Sequence, residues 1–254
     1  MSSSSSYQTW DRIFSGANFV SYAEGAQKLY ETLVRLEAEG FDTLVYPSRG
    51  TTPFAQLIQT AHELYPIQRT AKNRILHSLQ RPFSRVTIEL PFTADSPEDS
   101  DTASASIRDY WVQVLRAILH GDLTNTALRF HQYTLDKLFG FDRTHGAPLN
   151  QPSPKFVFVD TVVSGRAVYE IASAFERQGL DDFHLVLLLD ESGQKLRSPY
   201  REKILALGLA GRATCIPIDS IFTEDRGPAM TSTWCLTAPQ LVDQAPSHVG
   251  CQRR

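Results

Sequence analysis

The sequence predicts an α/β protein: an open, mostly parallel twisted sheet flanked by helices, with a helical insertion between strands. Phe156-Val157-Phe158-Val159 and Phe183 to Leu189 (FHLVLLL) are unbroken apolar runs, the pattern of strands buried on both faces of a parallel sheet. Polar turns rich in Ser, Thr and Gly follow Tyr46 and Asp160, and each leads into a segment of helical period. The chain is also long enough for a core: 254 residues, 42% hydrophobic and 10% aromatic, rule out a chain disordered throughout.

In chain order, residues 1–17 read as an irregular N-terminal end that includes a run of serines. Ser21 and Glu24 make a capping box ahead of Tyr22, Ala26, Leu29, Tyr30, Leu33 and Leu36, which share one helical face, and Gly40 stops that helix. Asp42 to Tyr46 is a short buried strand running into the turn Pro47 to Thr52. A helix from about Pro53 to Leu64 follows, with proline in its first turn, where the missing N–H costs nothing. Arg85 to Phe92 is the next strand.

Thr93 to Ser106 is acidic and serine-rich and reads as an exposed loop. Ile107 to Leu119 is amphipathic, with Trp111, Val114, Leu115, Ile118 and Leu119 on one side, and Leu123 to Phe139 repeats the pattern before Gly140. Thr144 to Pro154 leads back to the sheet, so residues 93–154 form a helical insert rather than a separate domain. The apolar run from Phe156, a helix from Arg166 to Gln178 ended by Gly179, the strand Phe183 to Leu189 and a last central strand from Ala213 to Ile218 complete one domain spanning residues 18–237. Residues 238–254 read as an irregular tail.

Charge and cysteine usage narrow the function classes. Twenty-five Lys and Arg against 28 Asp and Glu leave a formal charge of −3, which does not suit a protein that coats polyanions. A local basic stretch (Arg69, Lys72, Arg74, Arg81 and Arg85, with His77 and Phe83 interleaved) either faces nucleic acid or a nucleotide phosphate, or is neutralised by the acids from Asp95 to Asp101. Cys215, Cys235 and Cys251 form neither a disulfide framework nor a CxxC zinc pair. With no apolar run long enough to span a bilayer and no secretory pattern in MSSSSSYQTW, a cytoplasmic protein without membrane contact is expected. The histidines show no metal-ligand spacing, so no protein-built metal site is expected.

Phe156 to Ala167 (FVFVDTVVSGRA) carries the sharpest chemistry. A strand ends in an acid, and a Ser/Gly turn opens a helix whose N-terminal amides and dipole suit a phosphate group. Asp160 stands where a carboxylate accepts hydrogen bonds from sugar hydroxyls, and Ser164, Gly165, Arg166 and Ala167 form the cradle. A plain strand–turn–helix corner has the same outline. Asp190 and Glu191, after Leu189, read either as a second ligand contact or as a solvated strand exit. Trp234 reads as a base-stacking lid or as core.

The Phe156 to Ala167 run resembles the signature of type I phosphoribosyltransferases: an apolar strand, an acid pair, then a Thr/Ser-rich turn with a glycine before a helix. Asp160 takes the place of the second acid, Val159 that of the first, and Val163 that of an Asp which some members use in catalysis. Val45 to Ile58 (VYPSRGTTPFAQLI) resembles the family's earlier loop, which approaches the pyrophosphate and its magnesium ion. The resemblance implies a pyrophosphate loop of Ser48, Arg49, Gly50 and Thr51, catalytic roles for Arg49 and Asp160, and a ribose 5-phosphate site at Ser164 to Ala167. A guanidinium fork beside backbone amides suits that oxyanion. It also implies phosphoribosyl pyrophosphate or a nucleotide as ligand, with Mg2+ carried by the bound pyrophosphate.

Two functions follow from the resemblance. One is a non-classical member that binds a phosphoribosyl or nucleotide ligand and acts as a sensor or effector in a complex, as in retron-type bacterial defence systems. The other is an active phosphoribosyltransferase, or an enzyme cleaving an N-glycosidic bond. The vacancies at Val159 and Val163 and the helical insert favour the first. A protein partner or homo-oligomer is expected, with nucleic acid reached through that partner or the basic stretch.

Overall fold

A computed structural model describes residues 15–47, 51, 86–90, 92, 101–121 and 153–221. Its elements are α1 (Gly16–Ala38), β1 (Thr43–Pro47), β2 (Val86–Leu90), α2 (Asp101–Leu119), β3 (Phe156–Val162) and α3 (Arg166–Arg177). Then come β4 (Phe183–Leu189), a 3-10 turn (Asp190–Gly193), α4 (Tyr200–Leu209) and β5 (Ala213–Pro217). The helices expected over Pro53 to Leu64 and Leu123 to Phe139, the basic stretch and Trp234 lie outside the described residues.

The strands form one five-stranded sheet in the order β2-β1-β3-β4-β5, and every neighbouring pair is parallel. This is a doubly wound order. The chain runs outward from β1 to β2, then returns to lay β3 on the other side of β1. Such a reversal opens a crevice at the carboxyl ends of β1 and β3, where ligands of open α/β sheets bind.

Alternation along the strands divides the core into two layers. Phe156, Phe158, Leu185 and Leu187 face α2, α3 and α4, whereas Val157, Val159, Val186 and Leu188 face α1. On the first face Phe156 and Phe158 pack edge-on against Phe175 of α3, with ring centroids 5.2 and 5.6 Å apart. On the second, α1 buries Tyr22, Leu29, Leu33 and Leu36 completely. Each such side chain is worth about 1.5–3 kcal/mol, so packing outweighs the cost of about 1 kcal/mol for Gly25 in the helix interior. A Cβ there would meet Cδ1 of Ile218, so that side chain would have to shift to admit one.

The structure corrects the sequence reading at several elements. Helix α1 starts at Gly16, because the Ser15 side chain caps it by accepting from the Asn18 amide at 3.1 Å. Ser21 is therefore inside the helix, where its hydroxyl accepts from the Asp219 amide at 2.9 Å. The loop expected over Thr93 to Ser106 gives way to helix from Asp101, since alanines and polar residues continue the turn ahead of Ile107. Strand β5 pairs with β4 alone among the described residues. Helix α4 was not expected at all. It buries Ile204 and Leu207 but leaves Leu205 and Leu209 exposed, which blurs its apolar period. The apolar side of α2 (Val112, Val114, Leu115, Ile118 and Leu119) is buried in the same core cluster as one face of the sheet, and the helix packs on α3.

Candidate functional site

Strand β3 extends through Thr161 to Val162, two positions past Asp160, which fixes the carboxyl inside the sheet rather than on a free loop. Asp160 shares the face of Phe156 and Phe158, beneath α2 and α3. Its side chain is 5% exposed, and Oδ1 accepts from the Thr161 amide at 2.8 Å. Burial pushes its carboxyl up to about 7, against smaller opposing effects of the Thr161 hydrogen bond and the Arg108 charge. A carboxyl held there changes charge near neutrality, as an ordinary aspartate does not.

The turn after β3 enters α3 through Gly165, whose φ of 86° and ψ of −6° lie in the left-handed region. No side chain of Gly165 can cap the helix, and the first turn holds no acid. Ser164 Oγ accepts weakly from the Arg166 amide at 3.4 Å, and the Ser164 carbonyl accepts from the Arg197 amide at 3.1 Å. Ser164, Arg166 and Ala167 are half-buried, while Gly165 is buried. A Cβ on Gly165 would approach Leu196, Tyr200 and Ile204 to 3.2 Å. The dihedrals thus favour glycine, and the close passage of Leu196 and α4 leaves a tight fit for any Cβ.

Arg166 occupies the first position of α3, where the helix dipole disfavours a cation. Its Nε donates to Glu170 Oε1 at 2.8 Å. The other oxygen of Glu170 accepts from Nη1 of Arg108 on α2, and Arg108 is 7% exposed. Arg108 and Glu170 had no signal in the sequence, since only the docking of α2 on α3 brings them together, within electrostatic reach of Asp160 for Arg108. The partners are spaced 62 residues apart, beyond any helical periodicity.

Of the earlier loop, Ser48, Arg49 and Gly50 lie outside the described residues. Thr51 is buried at 1% exposure, and its hydroxyl donates to the Val159 carbonyl at 3.2 Å. This contact brings the end of that loop to the residue next to Asp160. Carrying the β1–β3 register on from Val45 opposite Phe158 sets Pro47 level with Asp160. Beside it on β1, Tyr46 pairs with Glu89 of β2, and burial followed by the Glu89 charge pushes its phenol up to about 12.

Val159, the position of the missing first acid, is 1% exposed and packs in the layer under α1, the face opposite Asp160. At the end of β4, Asp190 is completely buried, which corrects its reading as a solvated exit. Its Oδ1 accepts from the Ile221 amide at 2.6 Å, so it ties down the chain after β5. Lys195 pairs with Glu191 at 3.1 Å in the same turn, where Glu191 and Ser192 both have positive φ.

Among the described residues, no three His, Cys, Asp or Glu side chains gather to hold a metal ion, and no helix is long and apolar enough to cross a membrane. No known protein family, curated protein or solved structure matches the chain.

Proposed function

We propose that the chain binds a phosphoribosyl or nucleotide ligand at the crevice between β1 and β3, and that it acts as a sensor or effector subunit rather than as a transferase. The observation that carries the reading is the first turn of α3. It has amides without a side-chain cap from its N-cap residue, no acid in the first turn, and a guanidinium at its first position, and it follows a strand that carries a buried carboxyl. Such a helix end attracts an anion, and the sequence resemblance gives Asp160, buried on the strand that leads to it, the part of a ribose acceptor. Magnesium would enter as a companion of the ligand's pyrophosphate.

Binding is favoured over transfer by Val159, which belongs to the apolar layer under α1. No second carboxyl stands beside Asp160 at that position. Retron-type defence effectors are the setting in which such a subunit would work, with a protein partner reading the liganded state.

Titration calorimetry with phosphoribosyl pyrophosphate, with and without magnesium, tests the reading. Saturable binding without pyrophosphate release on adding nucleobases is expected. Pyrophosphate release would establish transfer instead, and no binding of any sugar phosphate would overturn the site.

A further inference from the structure

We propose that Arg108, on the helix between β2 and β3, is a positioning residue of the phosphate site: it keeps Glu170 neutralised so that Arg166 can turn from Glu170 to a bound anion. The inference rests on the phosphate reading of the α3 N-terminus and adds to it a role for α2.

Two guanidiniums share one carboxylate. Arg108 Nη1 holds Glu170 Oε2, and Arg166 Nε holds Oε1 at 2.8 Å, with all three side chains largely buried. Arg108 is the more buried of the two arginines, and its Nε is buried without a hydrogen-bond partner. Burying a guanidinium with an unmade hydrogen bond is unfavourable, so stability alone gives little reason for it. Without Arg108, release of Arg166 would take a second charge-assisted hydrogen bond from a largely buried carboxylate, and anion binding would have to offset that loss. With Arg108 in place, Glu170 keeps a charge-assisted hydrogen bond whichever way Arg166 points.

The geometry makes the exchange short. Arg166 begins α3 and its guanidinium is held at Glu170, one turn along the helix, so a rotation of its own side chain would carry it back toward the first-turn amides. Arg108 comes from another element, and its hold on Glu170 does not depend on the first turn of α3. Its charge also favours the ionised form of Asp160. Arg108 therefore touches neither anion nor sugar; it acts through Glu170, which holds Arg166, and adds a smaller pull toward the ionised form of Asp160.

Affinity for ribose 5-phosphate, measured by calorimetry at fixed ionic strength, tests this with a cycle of variants. Arg108→Gln is expected to weaken binding about tenfold, because Glu170 then retains Arg166. Arg108→Gln combined with Glu170→Gln frees Arg166 again and is expected to restore affinity to within about threefold of the unaltered protein. A merely structural role for Arg108 predicts no such rescue. Should Arg108→Gln fail to fold, Glu170→Gln alone decides: it releases Arg166 and is expected to bind ribose 5-phosphate at least as tightly as the unaltered protein, and binding about tenfold weaker overturns the proposal. The proposal is overturned if Arg108→Gln binds as the unaltered protein does, or if the double variant is weaker by more than about tenfold. Failure of the unaltered protein to bind ribose 5-phosphate would instead refute the underlying site, and the role of Arg108 with it.

Discussion

Replacing Asp160 with asparagine should stabilise the protein, and by an amount that depends on pH. The carboxyl is held at about 7 against an ordinary value of 3.8, chiefly by burial. Between those values the folded chain keeps a proton that the unfolded chain has lost. Stability therefore falls as pH rises through that window and levels off above about pH 7. The difference of about three pKa units, at 1.36 kcal/mol each, sets an upper bound of about 4 kcal/mol. Asparagine retains an acceptor for the Thr161 amide, which donates to Oδ1 at 2.8 Å, but it carries no charge. Urea unfolding of both proteins from about pH 4 to about pH 8 should show curves that coincide at the acid end. The variant should then lead by a margin that grows to a plateau. A margin that does not vary with pH, or a variant less stable at about pH 8, would refute the account of Asp160. Ligand affinity should move the other way, as expected where a strained site serves function.

Other substitutions probe the frame. Val159→Asp would place an unpaired carboxyl in the layer under α1; urea unfolding should show a loss of about 3–5 kcal/mol, and tighter binding with unchanged stability would contradict that placement. Gly165→Ala forces a side chain into φ 86° and within 3.2 Å of Leu196, Tyr200 and Ile204. It should cost about 1–2 kcal/mol, seen as a lowered Tm, and an unchanged Tm would show that the turn is not held as described. Asn18 exchanges hydrogen bonds of 2.9 Å with both backbone groups of Ser220 while 2% exposed. Asn18→Ala should lose about 2–3 kcal/mol by stranding them, and a loss below 1 kcal/mol in urea unfolding would mean that water replaces the side chain.

Much of this frame was legible because β3 and β4 are buried on both faces, and two-sided burial leaves an apolar run that other elements rarely imitate. The turn at Ser164 to Ala167 was legible for a related reason: only glycine passes easily through φ 86° at the entry to α3. What stayed hidden depends on contacts between distant segments. Ser15 caps α1, yet Ser21 with Glu24 is the stronger local pattern and is overruled by packing that continues back to Phe19. Helix α4 has too few buried positions to print a period, and its exposed Leu209 points away from the core that would explain it. Arg108 looks like any polar residue on an amphipathic helix. Its burial follows from α2 docking on α3, and no local spacing encodes that. The facing of Val159 needed the alternation of β3 to be anchored on known helices before the missing acid could be placed on the far side of the sheet.

The central claim is that the first turn of α3 receives the phosphate of a sugar-phosphate ligand, and backbone-amide NMR tests it most directly. Phosphoribosyl pyrophosphate titrated into labelled protein should shift the amides of Ser164, Gly165, Arg166 and Ala167 saturably, with Thr161 following through its bond to Asp160. The same titration with ribose 5-phosphate should reproduce the shifts at Gly165 to Ala167. Shifts confined to other parts of the molecule, or none up to about millimolar ligand, would contradict the account.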